Sequence, residues 1–411
     1  MANKVCVYTI CKNESIHVAR WLDSVEDADL IYVTDTGSED NTIEIFEAIK
    51  EDQFMDNLVI DHYPKTDHFN FAEARNFSLR AAKKYIKENI PGDCDWVYVA
   101  MDLDEFLYDG AIDIIRTKWS PEYDTLFTRA KVASTGEIFD VRHKIHGEGV
   151  EWHRSIHEIL DFNGRKEATW NCPDFGIFYI HDQDFSKERN YYEMLLDAFN
   201  IFGDRSVKTL TYLAQESLNR NKLDDAFKFT TLAYDVIFRD ESDPYYKDAG
   251  YIICLRYYFA SYYNEMKEYE KAYSCISLIM DMFAKGEFPH IRNLYKLAAE
   301  ICWSLCSEYK KNENVDMTHY IHLMYYRTLF YYTFMLTIDD KPIRDTKAFW
   351  LENYDLYSKK EESLVYNSIS ITYYDMGLYR ESLVYLNLAA NTDDTYKDLF
   401  ESNRKWIEDK L

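Results

Sequence analysis

The chain has 411 residues, 47% hydrophobic and 29% charged; this suits a folded protein too long for one typical core, so about two or three domains are expected, two before three. Its formal net charge of -25 argues against broad non-specific binding to nucleic acid or anionic membrane, since both need clustered Lys and Arg. With 12 Gly and 7 Pro against 36 Tyr and 24 Phe, long helices with aromatic packing are favoured over many tight turns.

No run approaches the ~18 apolar residues of a membrane span, and the N-terminus lacks the apolar core of a signal peptide. The cysteines Cys6, Cys11, Cys94, Cys172, Cys254, Cys275, Cys302 and Cys306 show no Cys-x-x-Cys spacing. They read as reduced packing residues, so a cytoplasmic location is expected.

Val5–Ile10 is a short apolar strand, followed by the polar turn Cys11–Ser15 and an amphipathic segment through Leu22. Leu30–Thr34 is a second strand; the turn 35–42 follows, with Asp40 or Asn41 as helix N-cap, and a helix to about Lys50. Leu58–Ile60 makes a third strand, and a helix begins at Phe71. The run Val97, Tyr98, Val99, Ala100 has no polar alternation, the mark of a strand covered on both faces. Strands alternating with helices imply right-handed crossovers and a mostly parallel sheet.

Asp102 and Asp104 fall just past that fourth strand, where open α/β sheets place their ligands. Carboxylates two apart project to one side of an extended chain, so both could reach one hard divalent cation, with a nucleotide diphosphate completing its coordination. Neither a Gly-x-Gly-x-x-Gly fingerprint nor a Walker loop follows the first strand. Phosphate handling would fall to such a metal, with Arg75 as a fixed positive charge or, equally, a surface residue near a helix start.

Between Arg142 and Asp184 the composition shifts, and five of the 11 histidines lie there. A zinc site on His153 and His157 is disfavoured, because the Glu of His-Glu-x-x-His is misplaced and a third ligand is unclear. Beyond about Ser186 helical spacing takes over. The stretches Asn221–Ala226, Lys267–Ala272 and Gly377–Ser382 each put a bulky residue three before a small one, a repeat pattern of paired helices. Ala226 and Ala272 are 46 residues apart, so the repeats are irregular.

Four pieces, Cys11–Glu14, Val33–Thr42, Phe71–Asn76 and Asp102–Asp104, together resemble the family 2 glycosyltransferases of GT-A fold, especially the subgroup with tetratricopeptide repeats that includes the glycocin S-glycosyltransferases. The resemblance spans Val5 to about Asp182. It implies an α/β domain followed by an all-α one: a GT-A domain over 1–185 and a tetratricopeptide-like solenoid over 186–411. It also implies a metal-dependent inverting hexosyltransferase using Mn2+ or Mg2+ and a nucleotide sugar, UDP-linked by expectation. The acceptor would be a peptide, protein or glycan, held by the repeats or left free of them if these serve only a homodimer.

Carried over by position, Thr9, Asn13, Glu14 and Asp35 would border the nucleoside, and Arg75 and Asn76 would lie close to the donor. Asp104 would be the more direct metal ligand, Asp102 would face the ribose or a metal-bound water, and His181 would close the metal shell. Leu103 stands where the family often has a smaller residue. Glu158 is the expected base, with Asp182 and Asp184 as rivals; its alternative role is to orient His157 or an Arg. The competing functions are an inactive repeat scaffold and a phage-type nucleic-acid-modifying transferase, the latter disfavoured by the acidity. The sequence lacks the Gln-x-x-Arg-Trp element of processive synthases.

Overall fold

The computed structural model describes residues 3–92, 94–134, 136, 138–156, 158–161, 169–171, 177–182, 190–288, 290–311, 316–338 and 358–411. The chain divides into two compact units, Met1–Asp204 and Arg205–Leu411.

The first unit opens with β1 (Lys4–Cys11), α1 (Val18–Val25), β2 (Leu30–Asp35), α2 (Thr42–Asp52), β3 (Leu58–His62), α3 (Phe71–Asn89) and β4 (Trp96–Ala100). There follow β5 (Glu105–Leu107), α4 (Ala111–Lys118), β6 (Thr125–Val132), β7 (Ile138–His146), β8 (Glu151–His153), β9 (Ile159–Asp161), β10 (Thr169–Asn171), β11 (Ile177–His181) and α5 (Tyr191–Asn200). Among the described residues the main sheet runs β3-β2-β1-β4-β7-β6-β11-β5, with β10 beside β6.

The first four strands are parallel, as their alternation with helices requires. The expectation of a mostly parallel sheet stops there. β7 lies antiparallel to β4 and to β6, β11 parallel to β6, and β5 antiparallel to β11. Only five residues separate β6 from β7, too few for a crossover helix, so the two join as a hairpin, which only antiparallel strands permit.

Each central strand is buried on both faces, which explains its unbroken apolar sequence. Val5, Val7, Val97 and Val99 share a core with Trp21 and Leu22 of α1, Phe46 of α2 and Ile115 of α4. Their neighbours Cys6, Tyr8, Tyr98 and Ala100 face Ala72, Leu79, Ala82 and Ile86 of α3, together with Trp152 and Leu160. The alanines let α3 lie close to the sheet. At its start, the Asn70 side chain accepts a hydrogen bond from the Glu73 amide at 3.1 Å, an N-cap that fixes where the helix begins.

A buried polar network ties β1, β7 and β8 together. Trp152 Nε1–H donates to the Tyr8 hydroxyl at 2.7 Å, and that hydroxyl meets His146 Nε2 at 2.8 Å. Because a carbonyl can only accept, His146 Nδ1–H donates to the Gly147 carbonyl at 2.9 Å. Both ring nitrogens of His146 are engaged, so it serves as a structural histidine.

The second unit comprises α6 (Val207–Asn219), α7 (Leu223–Arg239), α8 (Ala249–Glu265), α9 (Tyr269–Ala284), α10 (Arg292–Lys310), α11 (Thr318–Leu336), α12 (Lys359–Asp375), α13 (Tyr379–Thr392) and α14 (Lys397–Glu408). Helices pack in consecutive pairs, α6 on α7, α8 on α9, α10 on α11 and α12 on α13. The three stretches singled out in the sequence all form the same turn. Asn221, Lys267 and Gly377 take φ of 55°, 59° and 76°. The next amide in each case, of Lys222, Glu268 or Leu378, reaches back to the carbonyl of Ser217, Tyr263 or Tyr373 at 2.8, 2.8 and 2.9 Å. This is the Schellman closure of a helix C-terminus. The small residues that follow, Ala226, Ala272 and Ser382, are buried at the helix crossings. At the last crossing Ser370 and Ser382 exchange hydroxyl-to-carbonyl hydrogen bonds of 2.8 Å each. Among the described residues no helix is long and apolar enough to cross a membrane.

Asn76 fastens α3 to β8. Its amide Nδ2 donates to the Trp152 carbonyl at 2.8 Å and its Oδ1 accepts from the Trp152 amide at 2.7 Å, both buried. Asn76→Ala should strand both main-chain groups, at a cost of roughly 1–3 kcal/mol each. Hydrogen exchange at the Trp152 amide should therefore quicken about tenfold or more; an unchanged rate would show that other contacts hold β8.

Candidate functional site

The carboxyl ends of β1, β2 and β4 converge. Cys11 lies opposite Asp35, Tyr8 lies opposite Ala100, and the chain then turns through Asp102 and Asp104 into β5. Arg75, from the second turn of α3, is buried. Its Nη2 donates to Asp102 Oδ1 at 2.6 Å and its Nε to Glu158 Oε1 at 2.5 Å. Lys144, from β7, approaches the other side of the turn: Nζ lies 3.2 Å from Asp102 Oδ2 and 2.8 Å from Glu105 Oε2. Glu105 Oε2 also accepts the Asp102 amide at 2.8 Å. Two cations thus neutralise both oxygens of Asp102.

The electrostatics follow from burial and pairing. Burial alone would raise the Asp102 carboxyl, but Arg75 and Lys144 outweigh it and hold the group well below the usual carboxylate range. For Glu105 burial wins, and its pKa is raised against the pull of Lys144. Lys144 goes up, since Asp102 and Glu105 overcome the effect of its burial.

Asp104 stands apart from this cluster. Antiparallel pairing of β11 with β5 sets His181 opposite Glu105, and the Asp182 amide donates to the Asp104 carbonyl at 2.7 Å. His181 Nε2 consequently lies 3.4 Å from Asp104 Oδ2, and its pKa is raised by that contact. Asp104 and His181 can together offer one oxygen and one nitrogen to a divalent cation, a donor set that suits Mn2+. Asp102, with both oxygens in ion pairs, fits the indirect role better than direct ligation. Among the described residues no group of three or more His, Cys, Asp or Glu is arranged to hold a metal, so any cation here would draw its remaining ligands from substrate and water. Asp182 is half-exposed and pairs with Arg20 at 3.0 Å; the Arg20 guanidinium sits 4.1 Å over the Phe106 ring.

The residues expected around the nucleoside mostly hold the loops. Asp35 accepts the amides of Gly37 at 3.1 Å and Ser38 at 3.0 Å, an arrangement helped by φ +104° at Gly37. Asn13, at φ 55°, receives the Glu39 amide on Oδ1 at 2.7 Å, and the Glu14 amide donates to Thr42 Oγ1 at 2.8 Å. These bonds stitch the loop after β1 to the loop after β2. Thr9 is fully buried and donates to the Ile10 carbonyl at 3.2 Å. Asn76 spends its amide on Trp152 as described above. His153 is exposed and pairs with Asp161 at 3.3 Å; His157 and Asp184 lie outside the described residues, as does Cys172.

Lys144 and Glu105 escaped the sequence reading. Glu105 adjoins the acidic turn directly, and Lys144 lies in the stretch noticed only for its histidines. Lys144→Met should leave Glu105 buried without its cation, at a cost of about 3–5 kcal/mol at neutral pH. A buried carboxyl with raised pKa favours the folded state at low pH and loses that advantage as pH rises through the folded value. The deficit of the variant should therefore shrink on going from neutral pH towards the ordinary carboxylate range, as read by hydrogen exchange of the β4 and β7 amides. A deficit that stays constant with pH would assign the loss to packing.

No protein-family model matches the chain, and no curated protein matches it either. Solved structures similar to it include BtubC (BKLC) from P. vanneervenii, with 14% identity over 49% of this chain and 70% of that one and a TM-score of 0.32. The apo form of RapI has 11% identity over 50% of this chain and 63% of its own, with a TM-score of 0.32. The mannosyltransferase PcManGT from Pyrobaculum calidifontis, in complex with GDP-Man and Mn2+, has 13% identity over 80% and 88% of the two chains, with a TM-score of 0.36. At these scores the likenesses carry no argument.

Proposed function

We propose that the first unit is a metal-dependent, inverting glycosyltransferase of GT-A type that takes its sugar from a nucleotide-sugar donor. The observation that carries the reading is the pairing of Asp104 with His181 beside the Arg75–Asp102–Lys144 cluster, at the carboxyl end of a parallel half-sheet. Asp104 and His181 would hold the cation, which supplies charge stabilisation to the departing diphosphate. Asp102 is fixed by its two cations and faces the ribose or a metal-bound water. Arg75 Nη1 is buried with no hydrogen-bond partner among the described residues, a cost a donor oxygen would remove. UDP as the nucleotide rests on the family resemblance alone, and a cytoplasmic location rests on the unpaired cysteines alone. The three Schellman turns with buried small residues support a tetratricopeptide-like second unit, which would present a peptide, protein or glycan acceptor or mediate a homodimer.

In an inverting transfer the acceptor oxygen or sulfur bonds to the anomeric carbon while the bond to the diphosphate breaks, and the acceptor proton passes to a carboxylate. Glu158 is that base in this proposal, working from the oxygen not bound to Arg75; Asp182 and Asp184 are the next to test. The engagement of both Asp102 oxygens favours the competing reading, an inactive scaffold. Incubation with UDP-sugars and GDP-mannose in the presence of Mn2+ separates the two, since only a transferase releases nucleoside diphosphate.

Asp104→Ala should abolish that metal-dependent release without unfolding the chain, and unchanged turnover would remove Asp104 from the site. Glu158→Gln should slow single-turnover transfer by about 100-fold or more. A thiol acceptor ionises near pH 8.5 unaided, so raising the pH should then partly rescue the variant. Equal rates for wild type and Glu158→Gln across a pH series would place the base elsewhere.

A further inference from the structure

One carboxylate separates Arg20 from the Asp104–His181 pair. Arg20 Nη1 donates to Asp182 Oδ2 at 3.0 Å, and the Asp182 amide in turn donates to the Asp104 carbonyl at 2.7 Å. Phe106 of β5 sets where the guanidinium stands. This ring is buried, and two side chains one turn apart on the start of α1 lie against it. The His17 ring centroid is 5.9 Å away and the Arg20 guanidinium 4.1 Å. A cation–π contact uses the face of the guanidinium and leaves its N–H edge for an anion.

Asp182 holds that edge only weakly. The Arg20 side chain is 55% exposed and that of Asp182 41%, and ion pairs so open to water contribute little. A phosphate group offers the same fork a charged, bidentate partner. The neighbouring cations have less to give, because Arg75 and Lys144 already face Asp102, Glu105 and Glu158. A divalent cation on Asp104 would have part of its charge cancelled by that carboxylate, and so falls short of the charge on a diphosphate. An accessible guanidinium at the rim supplies the difference.

We propose that Arg20 is a diphosphate-binding residue of this site, exchanging Asp182 for phosphate oxygens when a nucleotide sugar binds. The inference rests on the transferase reading and deepens it by giving α1 a share in recognising the diphosphate. Asp182 and the diphosphate compete for one guanidinium, so removing Arg20 and removing the Asp182 charge act in opposite directions.

Isothermal titration of the full chain with UDP, GDP and inorganic pyrophosphate, each with saturating Mn2+, reads this exchange without turnover. Arg20→Gln should weaken all three by about tenfold. Arg20→Lys should recover only part of the loss, since lysine keeps the charge but lacks the fork. Asp182→Asn should tighten all three by about two- to fivefold. Mn2+ alone should bind Arg20→Gln at least as tightly as wild type. Weaker Mn2+ binding in Arg20→Gln, or weaker diphosphate binding in Asp182→Asn, would show that the pair only braces β11 and would overturn the inference. So would a wild type that binds these ligands and an Arg20→Gln variant that binds them equally well, a result that leaves the transferase reading standing. A wild type that binds none of the three with Mn2+ overturns both.

Discussion

One carboxylate held between a buried guanidinium and a partly buried ammonium underlies the architecture of the first unit. Arg75, Lys144, Asp102, Glu105 and Glu158 place two positive and three acidic groups together, with Arg75 and Glu105 buried and the other three partly buried. Desolvating any one of them alone would cost several kcal/mol, so the cluster persists only because each member satisfies another. Its parts come from α3, from β7, from the turn after β4, from β5 and from the segment before β9. A buried ion cluster adds little net stability over an apolar core, but it tolerates few rearrangements. It therefore sets how the parallel half of the sheet meets the mixed half.

That constraint also divides the labour between the two aspartates. Asp102 has its oxygens committed to guanidinium and ammonium, and its low pKa keeps it ionised throughout the physiological range. Asp104 extends past the cluster to His181, and the two are brought together by backbone pairing between β5 and β11 rather than by either side chain. Two residues apart in sequence, the carboxylates have different surroundings because β5 begins immediately after them and turns the second one towards a different neighbour.

Much of this was legible in the sequence, and what was missed shares a physical cause. The apolar runs at Val5–Ile10, Leu30–Thr34 and Val97–Ala100 signal strands buried on both faces, and such strands form the parallel half of the sheet. Arg75, Asp102 and Glu158 were each singled out separately, and the fold brings the three within hydrogen-bonding distance. β5 and β8 are three residues long, too short for any periodicity to register, and β6 and β7 mix charged with apolar side chains. Lys144 gains its meaning only from the pairing of β7 with β4, a contact between segments far apart in the chain. The helical turns were readable because the Schellman closure imposes local rules: a residue tolerant of positive φ, then a bulky residue, then a small one. Lys267 meets the first rule least comfortably, since lysine has neither the missing Cβ of Gly377 nor the local hydrogen bonding of Asn221.

The bridge from Asp102 through Arg75 to Glu158 has a consequence for how any chemistry at this site must be apportioned. One guanidinium links Asp102, beside the pair proposed to hold the cation, to Glu158, the proposed base, so altering either end changes the position and charge balance of the other. Effects on donor affinity and on transfer will not separate cleanly by residue, and the single substitutions will not add. Glu158 illustrates the point. Removing its charge takes away a proton acceptor and also frees Arg75 Nε, so a slow Glu158 variant alone does not distinguish a base from a residue that orients an arginine. The distinction lies in where the loss falls: a positioning role disturbs Arg75 and with it donor binding, whereas a base leaves donor binding intact and confines the loss to the transfer step.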